Sequence, residues 1–537
     1  MKNHLLIMLF VLTVFCSCSI DRIKKNQFSF ANEKDNIFVI NKTHYPNRSI
    51  IVAVLDSQVD IYHESLKDRI WLNENEIANN NIDDDNNGYI DDINGWNFVG
   101  KSIGGFFSYG NFEHTRIVQK YADLFKDQSF INDDSLAIYS VYKNAKIKLE
   151  DQLDYYKNWK NSIDFHVVNN KKVTDTLRYF FKNDDYTIFQ LDSLYNIYKN
   201  NDKSFYERKI DNDQDLGALI DYMRVRFMTK RQKIENLLLV NSNLDSIINR
   251  NLNVKFFDRQ YICDNPNILN DKYGNSNVFL YSPLAVHSTK VSSIIVRQRS
   301  EINVEDIHNN IKIMPLSISV SGDEHDKDIA NAVYYAVNNG AKVINMSFGK
   351  EFSLKQDWVT EAFKYAENHN VLLIHSSGNN GFNVDENLYY PSDIDYIRNK
   401  KAEEVGNFIN VGSISKRTDS TMVSEFSNYG KENVDIFAPG EEIYVAKPNN
   451  EYGYDSGTSL AGPMVSGTAA LIWLYYPKLT VYQMKSIILE SGVTVDKMVI
   501  KPGTKDEMVP FSDLCKTGKV LNTYNAMLLA KKVSQQK

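Results

Sequence analysis

Five short runs constrain this chain more than anything else in it. "SIIVAVL" (49–55), "KIMPLSI" (312–318), "KVINMSF" (342–348), "VLLIHSS" (371–377) and "FINVGSI" (408–414) are rich in β-branched residues and bounded by Gly, Asn or Asp. Helical patterns such as 326–338 and 355–368 alternate with them. Strands alternating with helices predict a mostly parallel sheet in an α/β layer architecture. Such sheets carry their chemistry at the carboxyl ends of the strands.

Proline divides the chain. None occurs between Pro46 and Pro266, and glycine thins out after Gly110. Over 135–168, Ile138, Tyr142, Ala145, Leu149, Leu153, Tyr156, Ile163 and Val167 recur at helical spacing, which predicts a helix with one apolar face. A second pattern, 214–246, includes Leu219, Met223, Phe227 and Leu238. Residues 110–255 read as a large helical insertion between the two parts of the sheet domain, 49–109 and 256–537. With 43% hydrophobic and 24% charged residues the chain is globular. No basic block points to nucleic acid as a partner.

The N-terminus "MKNHLLIMLFVLTVFCSCS" has Lys2 ahead of an apolar run too short to span a bilayer comfortably, as in a secretory signal. Its Phe-Cys-Ser-Cys end resembles a lipoprotein cleavage box with Cys18 as the lipidated residue, giving a signal at 1–18 and a linker at 19–48. The expectation is an exported protein, anchored to a membrane through lipid. Of the remaining cysteines, Cys263 and Cys515 form either a disulfide or two buried thiols.

Four polar residues stand at strand ends or helix starts. Asp56 closes "IVAVLD", His287 opens the helical pattern of "HSTKVSSIIV", Asn379 follows "VLLIHSSG", and Ser459 lies in "DSGTSLAGP". Each alone is an ordinary cap or turn residue. Together they supply a nucleophile (Ser459), its base (His287), an acid that orients the base (Asp56) and an oxyanion donor (Asn379).

"GTSLAGP" (457–463), "NNGAKVINMSFG" (338–349), "SSGNNG" (376–381), "EFSNYG" (425–430) and "DIFAPG" (435–440) resemble motifs of the subtilisin-like serine peptidases, in their Asp, His, Ser order. The likeness covers about 42–107 and 257–530. It implies a three-layer subtilisin-like fold, a polypeptide substrate and no cofactor for the chemistry. It also implies that Ser347, Phe348 and Gly349 pair with substrate backbone as an added strand. Ser376, Ser377 and Gly378 would form one wall of a specificity pocket.

Two positions depart from the pattern: Gln58 and Ser288 stand where the family has glycine, which predicts a narrowed or strained site. Three functions follow: a serine endopeptidase, a processing peptidase for one exported peptide, or an inactive surface binding protein on the same fold.

"NIDDDNNGYIDDINGWNF" (81–98) places Asp83, Asp85 and Asn87 at alternate positions before Gly88, with the Tyr89 carbonyl and Asp91 or Asp92 next. That spacing suits structural calcium, although Asn94 stands where such a loop has its closing acid. The insertion is read either as a scaffold or dimer surface, or as a cap on the cleft.

Overall fold

The computed structural model describes residues 48–101, 105, 108–126, 133–229, 234–297, 310–394 and 403–536. The signal segment and Cys18 lie outside the described residues. The chain forms two compact units, Met1–Glu113 with Asp258–Lys537, and His114–Phe257.

The first unit is built on a nine-stranded sheet. Its strands are β1 (Ile50–Asp56), β2 (Trp96–Asn97), β3 (Ile311–Ser317), β4 (Val343–Met346), β5 (Leu372–Ser376), β6 (Phe408–Ile414) and β7 (Ile436–Pro439), then two C-terminal pieces. A hairpin of β8 (Ile443–Lys447) and β9 (Glu451–Asp455) stands apart from the sheet, and so does β11 (Met498–Ile500) with β12 (Met508–Pro510). With β10 (Val493–Thr494) and β13 (Lys519–Val520), the order is β10-β13-β7-β6-β5-β4-β1-β3-β2, parallel except for β10 against β13.

β1 shows why these runs are strands. Side chains alternate across a strand, so a strand covered on both faces must be apolar at every position. Val52 and Val54 enter one core with Val291, Ala461 and Val465. Ala53 and Leu55 enter the other with Ile329, Val333 and Phe363. β3 and β4 flank β1 on opposite sides, so the chain changes direction about β1 and opens a crevice at the strands' carboxyl ends.

The second unit is helical, and its helices include Asp133–Leu177, Ile188–Tyr198, Phe205–Ile210, Leu216–Met228 and Ile234–Ser246. Thr187 with Gln190 and Ser204 with Glu207 form capping boxes that satisfy first-turn amides. Val173, Leu177, Leu191, Leu219, Ile220 and Met223 share one core. Two expectations shift. Ile138 is exposed, whereas Tyr142, Ala145 and Leu149 are buried. The pattern at 214–246 is two helices, and Leu237, not Leu238, points inward. A helical period carried across the break after Met228 loses phase.

Cys263 and Cys515 are free thiols; Cys515 is buried as expected of an unpaired cysteine, whereas Cys263 is exposed. No helix among the described residues is long and apolar enough to cross a membrane.

Candidate active site

β1 ends on Asp56, whose carboxylate is buried and accepts the Ser57 amide at 2.6 Å. His287 is the second residue of the helix Val286–Val296, which packs Val291 and Ile295 into the core shared with β1. Its Nδ1 lies 2.9 Å from Asp56 Oδ1 and 2.8 Å from Oδ2. A carboxylate there assigns the neutral ring's proton to Nδ1 and leaves Nε2 as the basic nitrogen. Burial lowers the imidazole pKa, but the charge and hydrogen bond of Asp56 outweigh it, so His287 titrates above its ordinary value.

Gln58 does not narrow the cleft. Its side chain is buried and its Oε1 accepts the amides of Leu280 (2.9 Å) and Tyr281 (3.1 Å), pinning the segment that leads into the His287 helix. Ser288 is buried too, and its Oγ has no hydrogen-bond partner among the described residues.

Ser459 is the second residue of the helix Thr458–Tyr475. A Cβ added to Gly457 would fall 3.0 Å from Ser459 Oγ and 3.7 Å from Asn379 Nδ2, so hydroxyl and amide border one small space that glycine keeps open. Asn379 Oδ1 accepts both the Thr458 amide (2.8 Å) and the Thr458 hydroxyl (2.9 Å). Those two donors fix which end of the amide is oxygen, and Nδ2 is the end left to donate.

Pro463 has a consequence here. It lacks the amide that would bond the carbonyl four residues earlier, which is that of Ser459. The Ser347 hydroxyl donates to that carbonyl instead, at 3.0 Å. Asn345 Nδ2 in turn donates to Ser347 Oγ (2.9 Å), and Ser466 donates to Asn345 Oδ1 (2.8 Å). This chain of buried groups ties β4 to the nucleophile's helix. Sequence reading missed Asn345, Ser466 and Thr458; the proline inside the helical pattern was the available signal.

The other residues expected to bind substrate divide. The Phe348 carbonyl is taken by His375 Nε2 at 2.9 Å, and burial lowers the His375 pKa to about 4. Ser376 and Ser377 are buried, and the Ser377 hydroxyl donates to the Asn428 carbonyl at 3.1 Å. Parallel strands alternate faces, and both serines sit where the sheet is covered. Glu324, also missed, is a buried carboxyl whose pKa burial raises to about 7; its field acts on His287. Among the described residues no hydrogen bond joins His287 to Ser459; catalytic hydrogen bonds are often long in substrate-free enzymes.

The acidic loop gathers a different set from the one its spacing suggests. Glu76, Asp83 and Asp85 bring carboxylate oxygens within 4.8 Å of one another. Asp83 is oriented by the amides of Asn87 (3.0 Å) and Gly88 (2.7 Å), and Glu76 by those of Asp84 (2.8 Å) and Asp85 (3.1 Å). Asn87 Nδ2 donates to Asp92, which also accepts from Asn73 and Tyr335 and is buried. Asp91 accepts the amides of Asn80 and Asn81. The Tyr89 ring packs edge-on against Trp96 and Tyr335.

A model of the subtilase family matches residues 47–509, more than half of the chain. The chain belongs to the subtilase family. This subtilase is 30% identical over 229 residues to the cell wall-associated protease of Bacillus subtilis (strain 168), covering 42% of the chain and 23% of that protein. The major intracellular serine protease of the same strain is 30% identical over 240 residues, 42% of the chain and 69% of its own length. Among solved structures, the prenylagaramide maturation protease PagA is similar at 29% identity and a TM-score of 0.35, over 46% of this chain and 82% of its own.

Proposed function

We propose that this subtilase is a serine endopeptidase that cuts polypeptides through an acyl-enzyme. The observation that carries the reading is the Nδ1 contact of His287 with Asp56, together with the space shared by Ser459 Oγ and Asn379 Nδ2. Ser459 Oγ attacks the peptide carbonyl while His287 Nε2 takes its proton. Asn379 Nδ2 donates to the oxygen as it becomes negative, and Asp56 holds the imidazolium. His287 then protonates the leaving amine, and water repeats the sequence on the ester. The Gly349 amide and carbonyl, without hydrogen-bond partners among the described residues, suit pairing with substrate backbone.

The test is labelling by a fluorophosphonate probe. Wild type should label and hydrolyse peptide; Ser459→Ala should do neither, a loss of about a millionfold in turnover. A folded wild type that does not label would leave a binding protein on this fold.

The same reading assigns a structural calcium to Glu76, Asp83 and Asp85. Three hard oxygen donors oriented by backbone amides support it, and the ion's part is to hold the loop, not to react. Chelation should lower the unfolding temperature without altering the labelled residue; an unmoved transition with and without calcium rejects the ion. The reading also assigns export and a lipid on Cys18, on the strength of the signal-like N-terminus. Metabolic labelling with palmitate should then be lost in Cys18→Ala.

A further inference from the structure

The crevice beside the nucleophile is already filled by a side chain of this protein. β4 and β5 are neighbours, and their carboxyl ends run on into Gly349 and Gly378. Gly378 directly precedes Asn379, and its amide donates to Thr458 Oγ1 at 3.2 Å, so this crevice borders the acyl side of the bond that Ser459 would attack. The ring of Tyr389 lies in it. A Cβ on Gly349 would come within 2.3 Å of Tyr389 Cε1 and 2.6 Å of its hydroxyl. A Cβ on Gly378 would come within 2.6 Å of Tyr389 Cζ and 2.8 Å of the same hydroxyl. One ring thus abuts both backbone edges, and glycine is required on each.

The ring is held there. The next residue, Tyr390, exchanges two backbone hydrogen bonds with Lys350, at 2.9 and 2.7 Å, which fastens the Tyr389 segment alongside Gly349. Phe382 packs edge-on against the ring (centroids 6.3 Å apart), and His375 stands 5.9 Å from it. Asp323, Glu324 and Glu351 act on the phenol, and burial, the larger cause, also keeps it protonated. Among the described residues the hydroxyl makes no hydrogen bond, so it is packing that keeps the ring in place.

We infer that Tyr389 sets substrate choice by occupying the space for the side chain on the acyl side of the cleaved bond, so that only glycine, alanine or another small residue fits there. The inference rests on the peptidase reading above. An occupied pocket rejects a bulky side chain by steric overlap, whereas truncating the occupant opens room for it.

The experiment compares two fluorogenic peptides that differ only in alanine or phenylalanine on the acyl side, with fluorophosphonate labelling in parallel. Wild type should favour alanine by at least about tenfold in kcat/KM, the discrimination that pocket volume supplies. Tyr389→Ala should reverse the preference or bring it near one, chiefly by raising the phenylalanine rate. Tyr389→Val should fall between, and covers the case in which the alanine variant does not fold. Tyr389→Phe should keep the wild-type preference, because the ring remains. If wild type takes both peptides equally, or the preference survives in labelled Tyr389→Ala, the inference falls and the peptidase reading stands. If folded wild type neither labels nor cleaves, the peptidase reading falls and takes the inference with it.

Discussion

Among the described residues, the sheet unit seals whole ion pairs away from water, whereas most ion pairs of the helical unit are wet. In the sheet unit the Lys350 ammonium is fully buried, 2.7 Å from Asp326 and 3.4 Å from Glu113, and it donates to the Glu324 carbonyl. Arg259 is sealed between Asp264 and Asp328, each at 2.7 Å. In the helical unit Arg178 meets Asp184 at 2.8 Å with side chains 53% and 39% exposed, and Lys203 reaches Asp211 and Asp213 in water. Arg208 beside Asp221 is a buried pair of the helical unit, at 3.8 Å. A sealed charge must keep its partner or strand it, whereas a wet one trades its partner for water. The unit that carries the chemistry is therefore the one whose polar side chains are least replaceable.

The largest effect that sharpens this contrast lies in the site itself. Asp56→Asn should lower kcat by about ten-thousandfold while the protein stays folded, because the amide no longer holds His287 in the required tautomer. Steady-state kinetics beside a thermal melt would check it, and a loss below a hundredfold would remove Asp56 from the mechanism.

Next comes the pair of cations. Lys350→Met should cost about 3–5 kcal/mol in urea unfolding, since Asp326 and Glu113 are left buried without their cation. Arg178→Ala should leave the same transition in place, and raised salt should hide the difference further. Equal effects at the two positions would break the comparison.

The smallest effect is a shift in pH. Only neutral imidazole can act as base, so kcat/KM should rise with pH through the His287 pKa, which lies above its ordinary value. Glu324 is one of the carboxylates that raise it. Glu324→Gln should therefore move the acid limb of the profile to lower pH, and an unmoved limb would place Glu324 outside the field of His287.

Much of the sheet unit was legible because its signals are local. Apolar runs closed by polar residues marked β1 and β3 to β6 within a few positions, and the Gly-Thr-Ser turn marked the mouth of the Ser459 helix. The helical unit was less legible: a period of 3.6 carried through an unmarked break put Leu238 where Leu237 belongs. The acidic loop was legible only in part. Spacing named Asp83, Asp85, Asn87, Tyr89, Asp91 and Asp92, whereas the carboxylates that approach one another include Glu76, which precedes the motif, with Asp83 and Asp85.

By itself, then, the sequence determined the five runs that become β1 and β3 to β6, the helical character of the insertion, and which residues are chemically able to react. These follow from side-chain period and from Gly and Pro, which act within a few residues. Only the tertiary structure decided what those residues touch. It set His287 against Asp56, turned Gln58 into a strut under residues 280–281, and passed the Ser459 carbonyl to Ser347. It also laid Tyr389 against Gly349 and Gly378, which follow two different strands. Such contacts join separate strands and loops, and no local pattern specifies them, because they arise only where the packed layers close.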